Sequence, residues 1–237
     1  PAEEARWGLA IIEDSLWDTI PKVYRRLNQI FEKNMGKGLP KNFNPIQFGS
    51  WMGGDRDGNP FVTAQVTKRV ILLSRWEAAK LYEKSMTKLI RSYSMEKCSN
   101  KILKITGKTF EPYRVYLRPL RVVRESLEQN QSENIASGDL LDLMRRAKCF
   151  GINLARLDIR QESSRHSQLL AEYIKKKLNQ DYSSWDEDRK IKYLSAKMQN
   201  KNVLKNFQFK NKENKEVWST FKVLATQPKE CLGAYVL

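Results

Sequence analysis

Helical periodicity runs through most of the chain and leaves room for only a few short strands. Apolar residues recur at three- and four-residue spacing in several long stretches, which predicts helices. Strand-like alternation is clearest at residues 152–159, where Ile152, Leu154 and Leu157 alternate with polar neighbours. One or two isolated strands cannot form a stable sheet, whereas strands followed by helices are typical of part of a barrel. The expected fold class is mainly α with a few short β-strands, as a partial segment of a helix-rich (β/α) barrel.

Turn and capping residues divide the chain into elements. Pro21 is predicted in the first turn of a helix that Gly36 ends, and Ser184 with Glu187 is predicted to form a capping box. Further helices are predicted at 63–93, 112–127, 139–150, 164–178 and 215–225, with a polar hinge at 97–109. We expect one unit over 1–237, with N-terminal helices at 1–47, a Gly/Asp loop at 48–60, a helical segment at 61–151, and a strand–helix segment with terminal helices at 152–237.

Composition limits the class of protein. Hydrophobic residues make up 41% of the chain, enough for a packed core, and no stretch approaches twenty apolar residues. No membrane association is therefore predicted, and the N-terminus does not resemble a signal peptide. Three cysteines, Cys98, Cys149 and Cys231, are far apart and lack CxxC spacing. These features predict a cytoplasmic protein whose thiols are reduced and behave as small core residues.

The positive charge is unevenly distributed. The net charge is +16, and the excess lies in the lysine-rich regions 61–130 and 171–237. A basic helical module that binds nucleic acid or an acidic surface is one interpretation, and an ordinary solvated lysine surface is the other. The sequence contains no helix-turn-helix, RRM, KH or zinc-finger pattern, so no specific nucleic-acid partner is predicted.

The first candidate site is a loop that reads FGSWMGGDRDGNP at residues 48–60. Its glycines allow positive φ and close backbone approach, and successive N–H groups can form an anion nest. The alternative is a loop bonded to itself, in which Asp55 and Asp57 hold Arg56 or cap the next helix. An EF-hand is excluded because Val66 stands where the bidentate glutamate is needed, and no Lys-Ser or Lys-Thr completes a P-loop.

The second candidate site, LDIRQESSRH at residues 157–166, lies where a strand passes into a helix. In barrel enzymes that junction is the active-site face. Arg160 is placed at the strand end, where its guanidinium can bind a phosphate or carboxylate with two parallel N–H bonds. The alternative is an ion pair with Asp158 or Glu162. His166, the one histidine, has no triad-like or metal-ligand neighbours and is interpreted as structural.

These two stretches resemble signatures of the phosphoenolpyruvate carboxylase family. FGSWMGGDRDGNPFVTAQVT at 48–67 and LDIRQESSRH at 157–166 carry the resemblance. Weaker matches follow in family order at 15–27, 111–121, 137–163 and 234–237. The resemblance covers the whole chain but only about a quarter of a family enzyme. With no initial Met and an apolar end, AYVL, the chain is expected to be an internal fragment of a bacterial-type enzyme.

The resemblance implies an activity and roles for particular residues. The family adds bicarbonate to phosphoenolpyruvate, giving oxaloacetate and phosphate through carboxyphosphate and an enolate, with Mg²⁺ or Mn²⁺. This reaction replenishes the tricarboxylic acid cycle, and the family enzymes are homotetramers. Arg160 resembles a phosphate-clamping arginine, and Trp51 resembles the apolar wall of the substrate pocket. Met52, Gly53 and Gly54 belong to that pocket, and Asp55, Arg56 and Asp57 shape its loop.

The resemblance also implies what the chain lacks. No TAHPTE-like stretch carries the family's catalytic histidine, and the metal-binding acids and glycine-rich arginine loop belong to sequence beyond residue 237. No metal ligand is therefore assigned, no cofactor is expected on this chain, and the chain alone is expected to be inactive. The connection at 129–137 is shorter than the family's usual connection.

Arg114 and Arg121 share a helix face and are a candidate effector site for a sugar phosphate or dicarboxylate. The alternative is that they are ordinary charges on a helix surface.

Overall fold

The computed structural model describes residues 2–40, 43–93, 114–129, 136–198 and 207–237. The described residues contain eight α-helices and three β-strands, which confirms the expected mainly helical class. In chain order these are α1 (Ala2–Ile11), α2 (Trp17–Met35), β1 (Gly49–Ser50), α3 (Ala64–Tyr93), α4 (Arg114–Gln129), α5 (Asp139–Phe150), β2 (Arg156–Arg160), α6 (Ser163–Leu178), α7 (Glu187–Met198), α8 (Lys212–Ala225) and β3 (Leu232–Val236). The predicted hinge at 97–109 and Cys98 lie outside the described residues.

Helices α1 and α2 form one continuous run, because the π-helical turn Ile12–Leu16 joins them. Pro21 is the fifth residue of α2, so its predicted place in the first turn is wrong. Proline has no N–H, and the Trp17 carbonyl four residues earlier therefore lacks its helical donor. Arg146 Nε donates to that carbonyl at 2.7 Å, which allows the helix to continue past the proline. The helix ends at Gly36 as predicted, with φ of 66°.

The helical core lies where α2, α3 and α5 pack together. Trp17 stacks on Phe150 with ring centroids 5.1 Å apart, and Tyr82 meets Trp17 edge-on at the same distance. A second cluster joins the end of α3 to α4 and α5 through Leu89, Val123 and other buried residues. Both clusters include residues of α5, the helix that precedes β2 in the chain.

The three strands form one parallel sheet in the order β1-β2-β3. Helices α3 to α5 connect β1 to β2, and α6 to α8 connect β2 to β3. This arrangement of parallel strands with helical crossovers is the expected partial segment of a (β/α) barrel. The predicted strand at 152–159 lies instead at Arg156–Arg160. Its start is later because Asn153 is buried and donates to the Ala155 carbonyl in a turn.

The C-terminal helices pack around a third cluster that includes Tyr173, Ile174 and Val217. Helix α7 starts at Glu187, but Ser184 does not cap it as predicted. Asp186 accepts from the Arg189 N–H at 2.8 Å, whereas the Ser184 hydroxyl donates to the Asp181 carbonyl in a preceding 3₁₀ turn. In the part of the chain that the structure describes, no helix is long and apolar enough to cross a membrane.

Two thiols lie in the core, as predicted for them. Cys149 lies on the buried face of α5, and Cys231 immediately precedes β3. Burial raises the pKa of Cys149 to about 12 and that of Cys231 to about 11. Both thiols are therefore protonated near neutral pH, and neither has the electropositive, exposed surroundings of a reactive cysteine.

Candidate active site at the end of strand β2

The structure brings the two candidate stretches together at one edge of the sheet. The backbone N–H of Arg160 donates to the Gly54 carbonyl, and the N–H of Arg56 donates to the Arg160 carbonyl, both at 3.0 Å. The loop after β1 is thereby fixed alongside the carboxyl end of β2. Because carboxyl ends of parallel strands carry the active sites of barrel enzymes, this edge is the candidate active site.

Two glycines allow the loop to approach the strand closely. Gly53 has φ of 82°, and a Cβ there would lie 2.6 Å from the Val70 side chain. At Gly54 a Cβ would lie 2.0 Å from the Asp158 carbonyl oxygen, a backbone atom that cannot move aside. Any side chain at residue 54 would push the loop away from β2. The pair of glycines therefore sets the distance between the loop and Arg160.

Arg160 is stacked on an aromatic ring and only loosely paired. Its guanidinium carbon lies 5.3 Å from the ring centroid of Trp51, within the range of a cation–π contact. Nη1 lies 3.5 Å from Asp55 Oδ2, and the Arg160 side chain is 41% exposed. The partner is thus Asp55 rather than Asp158 or Glu162, the two partners considered from sequence. An exposed ion pair of this length is weak, so the guanidinium can form further bonds.

Arg56 has a different environment from Arg160, although both lie in the candidate site. Its Nη1 donates to the Gly54 carbonyl at 3.0 Å and its Nη2 to the Thr67 hydroxyl. Thr67 is buried and donates in turn to the Gly53 carbonyl at 2.8 Å. Burial lowers the pKa of Arg56. Arg56 therefore ties the glycine loop to α3, and these hydrogen bonds go to residues other than the two aspartates.

Two aspartates of the site, Asp55 and Asp158, accept hydrogen bonds from backbone N–H groups. Asp55 Oδ1 accepts from the Asp57 N–H at 3.1 Å, which closes a turn in the loop. Asp158 Oδ1 accepts from the Ala234 N–H at 2.8 Å and occupies the space a side chain at Gly233 would need. Among the described residues, no group of three or more His, Cys, Asp or Glu side chains could hold a metal ion. Asp55 and Asp158 are thus each bonded to a backbone N–H group.

His166 lies near the same edge, between two aromatic residues. Its Nε2 is 2.8 Å from the Tyr235 hydroxyl, and its ring centroid is 5.6 Å from that of Phe221. Burial lowers the pKa of His166, so the imidazole is neutral near pH 7. These contacts link α6 and α8 to β3, in agreement with the structural interpretation.

Sequence reasoning missed the residues that support the site. Thr67, Asp158 and Gly233 position the loop and the strands, but each does so through a partner far away in sequence. From sequence, period-two alternation places Asp158 on the face of Arg160 and suggests an ion pair between them, whereas in the structure Asp158 accepts from the Ala234 N–H. The candidate effector residues both lie on α4. Arg114 is the first residue of α4, and Arg121 is exposed on the same helix.

Comparison with known proteins decides the family. The family profile described as "Phosphoenolpyruvate carboxylase" matches residues 1–111 and 100–237. The chain belongs to this family. It is 40% identical to a phosphoenolpyruvate carboxylase of Aliivibrio salmonicida (strain LFI1238) and 39% identical to one of Vibrio vulnificus (strain CMCP6). Each alignment covers all of this chain and 31% of the relative. A Hahella chejuensis carboxylase is 39% identical over 99% of this chain.

The family assignment confirms the resemblance that the two motifs carry. The chain spans about 31% of the length of the curated relatives it matches. The alignments extend over 274 and 275 positions although the chain has 237 residues, so the relatives carry residues within this stretch that this chain lacks. None of these comparisons supports the alternative of a basic nucleic-acid-binding module.

Proposed function

We propose that this chain is a segment of a phosphoenolpyruvate carboxylase, and that the complete enzyme adds bicarbonate to phosphoenolpyruvate to give oxaloacetate and phosphate. A bicarbonate oxygen bonds to phosphorus while the bond between phosphorus and the enol oxygen of phosphoenolpyruvate breaks. The products of this step are carboxyphosphate and the enolate of pyruvate. Carboxyphosphate then releases phosphate and carbon dioxide, and the enolate carbon bonds to carbon dioxide. The supporting observation is the stacked, weakly paired Arg160 at the carboxyl end of β2, within the family motif.

Arg160 supplies a planar donor set for the transferring phosphoryl group. Stacking on the Trp51 ring restricts the orientation of the guanidinium plane. The 3.5 Å contact with Asp55 Oδ2 holds the guanidinium at the strand end and leaves other N–H groups able to bind a ligand. A phosphoryl group whose charge spreads over its oxygens accepts two parallel N–H bonds from such a group. Asp55 orients Arg160 before substrate binds. Breaking the Arg160–Asp55 contact when substrate binds costs little free energy, because the pair is exposed.

Trp51 forms the apolar side of the pocket in this proposal. Trp51 is 54% exposed, so part of its ring is open to a ligand. Met52, Gly53 and Gly54 continue the wall, while Asp55, Arg56 and Asp57 maintain the loop that carries it. An apolar wall next to a guanidinium excludes water from the enolate and strengthens the contact between arginine and phosphate.

The complete enzyme also requires parts beyond this chain. A divalent cation, Mg²⁺ or Mn²⁺, supplies charge for the enolate, and its ligands belong to other segments because the acids near Arg160 are engaged with backbone groups. The proposal places the general base and further cations there as well. The complete enzyme is proposed to be a cytoplasmic homotetramer. Arg114 and Arg121 stay a proposed effector site on α4 for an anionic metabolite.

The test uses a complete carboxylase that carries this chain. Arg160→Ala is expected to lower turnover at least about a hundredfold, since one transition-state donor typically contributes that much. Oxaloacetate formation is followed with coupled malate dehydrogenase. Arg165→Ala, five residues further along the chain in the first turn of α6, is the matched control and should retain activity, because Arg165 pairs with Glu162 and Glu213. Near-normal turnover of the Arg160→Ala enzyme would refute the role of this residue.

The isolated chain provides the second arm of the test. With Mg²⁺, bicarbonate and phosphoenolpyruvate, it is expected to form no measurable oxaloacetate. One charge-assisted contact contributes about 1.5–3 kcal/mol, whereas enzymes lower barriers by about 8–23 kcal/mol. Turnover by the chain alone would show that the missing segments are not needed and would overturn the proposed division of roles.

A further inference from the structure

One buried hydroxyl connects helix α3 to the loop that carries the candidate site. Thr67 is the fourth residue of α3 and is fully buried, with 0% of its surface exposed. Its hydroxyl donates to the Gly53 carbonyl at 2.8 Å and accepts from Arg56 Nη2. A carbonyl can only accept and a guanidinium can only donate, so the direction of both hydrogen bonds is fixed. Thr67 therefore binds two different groups of the same loop.

The guanidinium of Arg56 has two hydrogen-bonded attachments, and Thr67 is one of them. Nη1 donates to the Gly54 carbonyl at 3.0 Å, and Nη2 donates to the Thr67 hydroxyl. In the part of the chain that the structure describes, Arg56 Nε has no hydrogen-bond partner. Without the Thr67 hydroxyl, a single hydrogen bond would hold the guanidinium. The hydroxyl therefore fixes the orientation in which Arg56 Nη1 meets the Gly54 carbonyl.

The Gly54 carbonyl is the point at which Arg56 meets the backbone of Arg160. That carbonyl accepts from Arg56 Nη1 and from the Arg160 N–H, both at 3.0 Å. The Arg56 N–H donates to the Arg160 carbonyl at 3.0 Å, so both backbone polar groups of Arg160 are bonded to the loop. An isolated parallel bridge pairs Asp55 with Arg160 at the same place. The loop therefore determines where the Arg160 side chain begins.

Helix α3 is itself held firmly where Thr67 lies. Glu216 Oε1 of α8 accepts from the Ala64 N–H at 2.5 Å, which satisfies a free N–H group in the first turn of α3. Val70, three residues after Thr67, is buried and lies so close to Gly53 that a Cβ there would be 2.6 Å from the valine side chain. The first two turns of α3 therefore form a fixed support against which the loop packs.

We propose that Thr67 is a positioning residue for the carboxylase reaction, acting through Arg56 to hold Arg160 against the glycine loop and the Trp51 ring. This role rests on the proposed part of Arg160 in binding the transferring phosphoryl group. Because Thr67 is fully buried, it does not contact a ligand itself. Displacement of a reacting or donor group by about 1 Å can lower a rate about a hundredfold, so the support of Arg160 matters to turnover.

The test uses Thr67→Val in a complete carboxylase that carries this chain. Valine keeps the branching and nearly the size of threonine but lacks the hydroxyl. We expect kcat to fall about tenfold and KM for phosphoenolpyruvate to change less than about twofold, because a misplaced transition-state donor affects the chemical step more than substrate binding. Thr67→Ser keeps the hydroxyl and should keep kcat within about threefold of the unmodified enzyme.

Thr220→Val is the matched control. Thr220 is also buried, and its hydroxyl donates to the Glu216 carbonyl at 3.2 Å within α8. Its valine variant loses a buried hydroxyl without touching the loop, so kcat should be unchanged. Urea unfolding compares the stability of the two valine variants, which separates a general loss of stability from a loss of turnover.

Arg56→Lys tests the same connection from the other side. One lysine ammonium cannot reproduce the two separate donors that Arg56 directs to the Gly54 carbonyl and to Thr67. Arg56→Lys should therefore lower kcat about as much as Thr67→Val does. In an Arg160→Ala enzyme, Thr67→Val should cause no further loss, because no guanidinium remains to be positioned.

Amide hydrogen exchange in the 237-residue chain tests the connection without catalysis. The backbone N–H groups of Arg56 and Arg160 should exchange about tenfold faster in Thr67→Val than in Thr67→Ser, because their bonds between loop and strand open more often. Near-normal turnover of Arg160→Ala would refute the proposed function itself. Near-normal turnover of Thr67→Val, beside a large loss in Arg160→Ala, would refute only the positioning role.

Two further results would overturn the role of Thr67. One is an equal fold loss of kcat from Thr67→Val with and without the Arg160 side chain, which would show that Thr67 acts through another group. The other is an unchanged exchange rate of the Arg160 N–H in Thr67→Val, which would show that the hydroxyl does not hold the loop against β2.

Discussion

Two arginines, each stacked on a tryptophan, differ in how firmly the rest of the fold holds them. In the helical half, Arg146 lies 5.4 Å from the ring centroid of Trp17 and donates at 2.7 Å to both the Trp17 carbonyl and Asp18 Oδ1. At the strand end, Arg160 lies 5.3 Å from the Trp51 ring, but its carboxylate contact is 3.5 Å. The stacking distances are nearly equal, so stacking does not distinguish the two.

The difference lies in hydrogen bonding and exposure. The Arg146 side chain is 15% exposed and satisfies a carbonyl that Pro21 leaves without a donor. The Arg160 side chain is 41% exposed, and its contact with the Asp55 carboxylate is longer, at 3.5 Å. An arginine whose donors are used by the fold stabilises it, whereas an arginine held only by a ring and a distant carboxylate is available for binding.

The largest expected effect on stability comes from the glycine that brings the loop to Arg160. Gly54→Ala should lower the free energy of unfolding by about 3 kcal/mol, because the new Cβ meets the backbone oxygen of Asp158. Gly58→Ala is the control, since it introduces only the strain of φ at 64° with no atom within 4 Å and should cost about 1 kcal/mol. Equilibrium urea unfolding measures both. Equal losses would show that the loop can move away from β2.

The contrast between the arginines predicts a second, smaller difference. Arg146→Met should lower the free energy of unfolding by about 2 kcal/mol, because the Trp17 carbonyl loses its donor in a partly buried position. Arg160→Met should cost less than about 1 kcal/mol, as expected for an exposed ion pair. Urea unfolding of both variants is the measurement. A larger loss for Arg160→Met would mean that the fold, and not ligand binding, uses that side chain.

Local sequence rules predicted the elements that depend on local interactions. The helix at Ala64–Tyr93 and the end of α2 at Gly36 follow from apolar spacing and the positive φ available to glycine. The position of Arg160 at a strand end follows from alternation, and its proposed role from the family motif. These features need no knowledge of distant residues, and they account for most of the fold class.

The remaining features depend on contacts between residues far apart in sequence. Arg146 donates to the Trp17 carbonyl from 129 positions away, and Asp158 binds the Ala234 N–H from 76 positions away. Pro21 was placed in a first turn because the rule for proline considers only the helix that contains it. No local pattern indicates that a distant guanidinium can replace the missing N–H. The partner of Arg160, Asp55, was missed for the same reason.

The smallest expected effect is the energetic coupling between Pro21 and Arg146. It tests whether Arg146 differs from Arg160 because it donates to the Trp17 carbonyl. In Pro21→Ala the new N–H can donate to the Trp17 carbonyl within α2, so that carbonyl no longer depends on Arg146. Arg146→Met should then cost about 1 kcal/mol less in the Pro21→Ala background than in the original chain. A double-mutant cycle from urea unfolding gives this coupling.

Asp18→Asn provides the control for that cycle. It weakens the other contact of Arg146, at a carboxylate that is 73% exposed, and should show little coupling to Pro21→Ala. If Arg146→Met costs the same in both backgrounds, the Trp17 carbonyl is not what Arg146 stabilises. Arg146 and Arg160 would then differ only in exposure. Hydrogen bonding within the fold could then not be used to distinguish a structural arginine from a ligand-binding one in this protein.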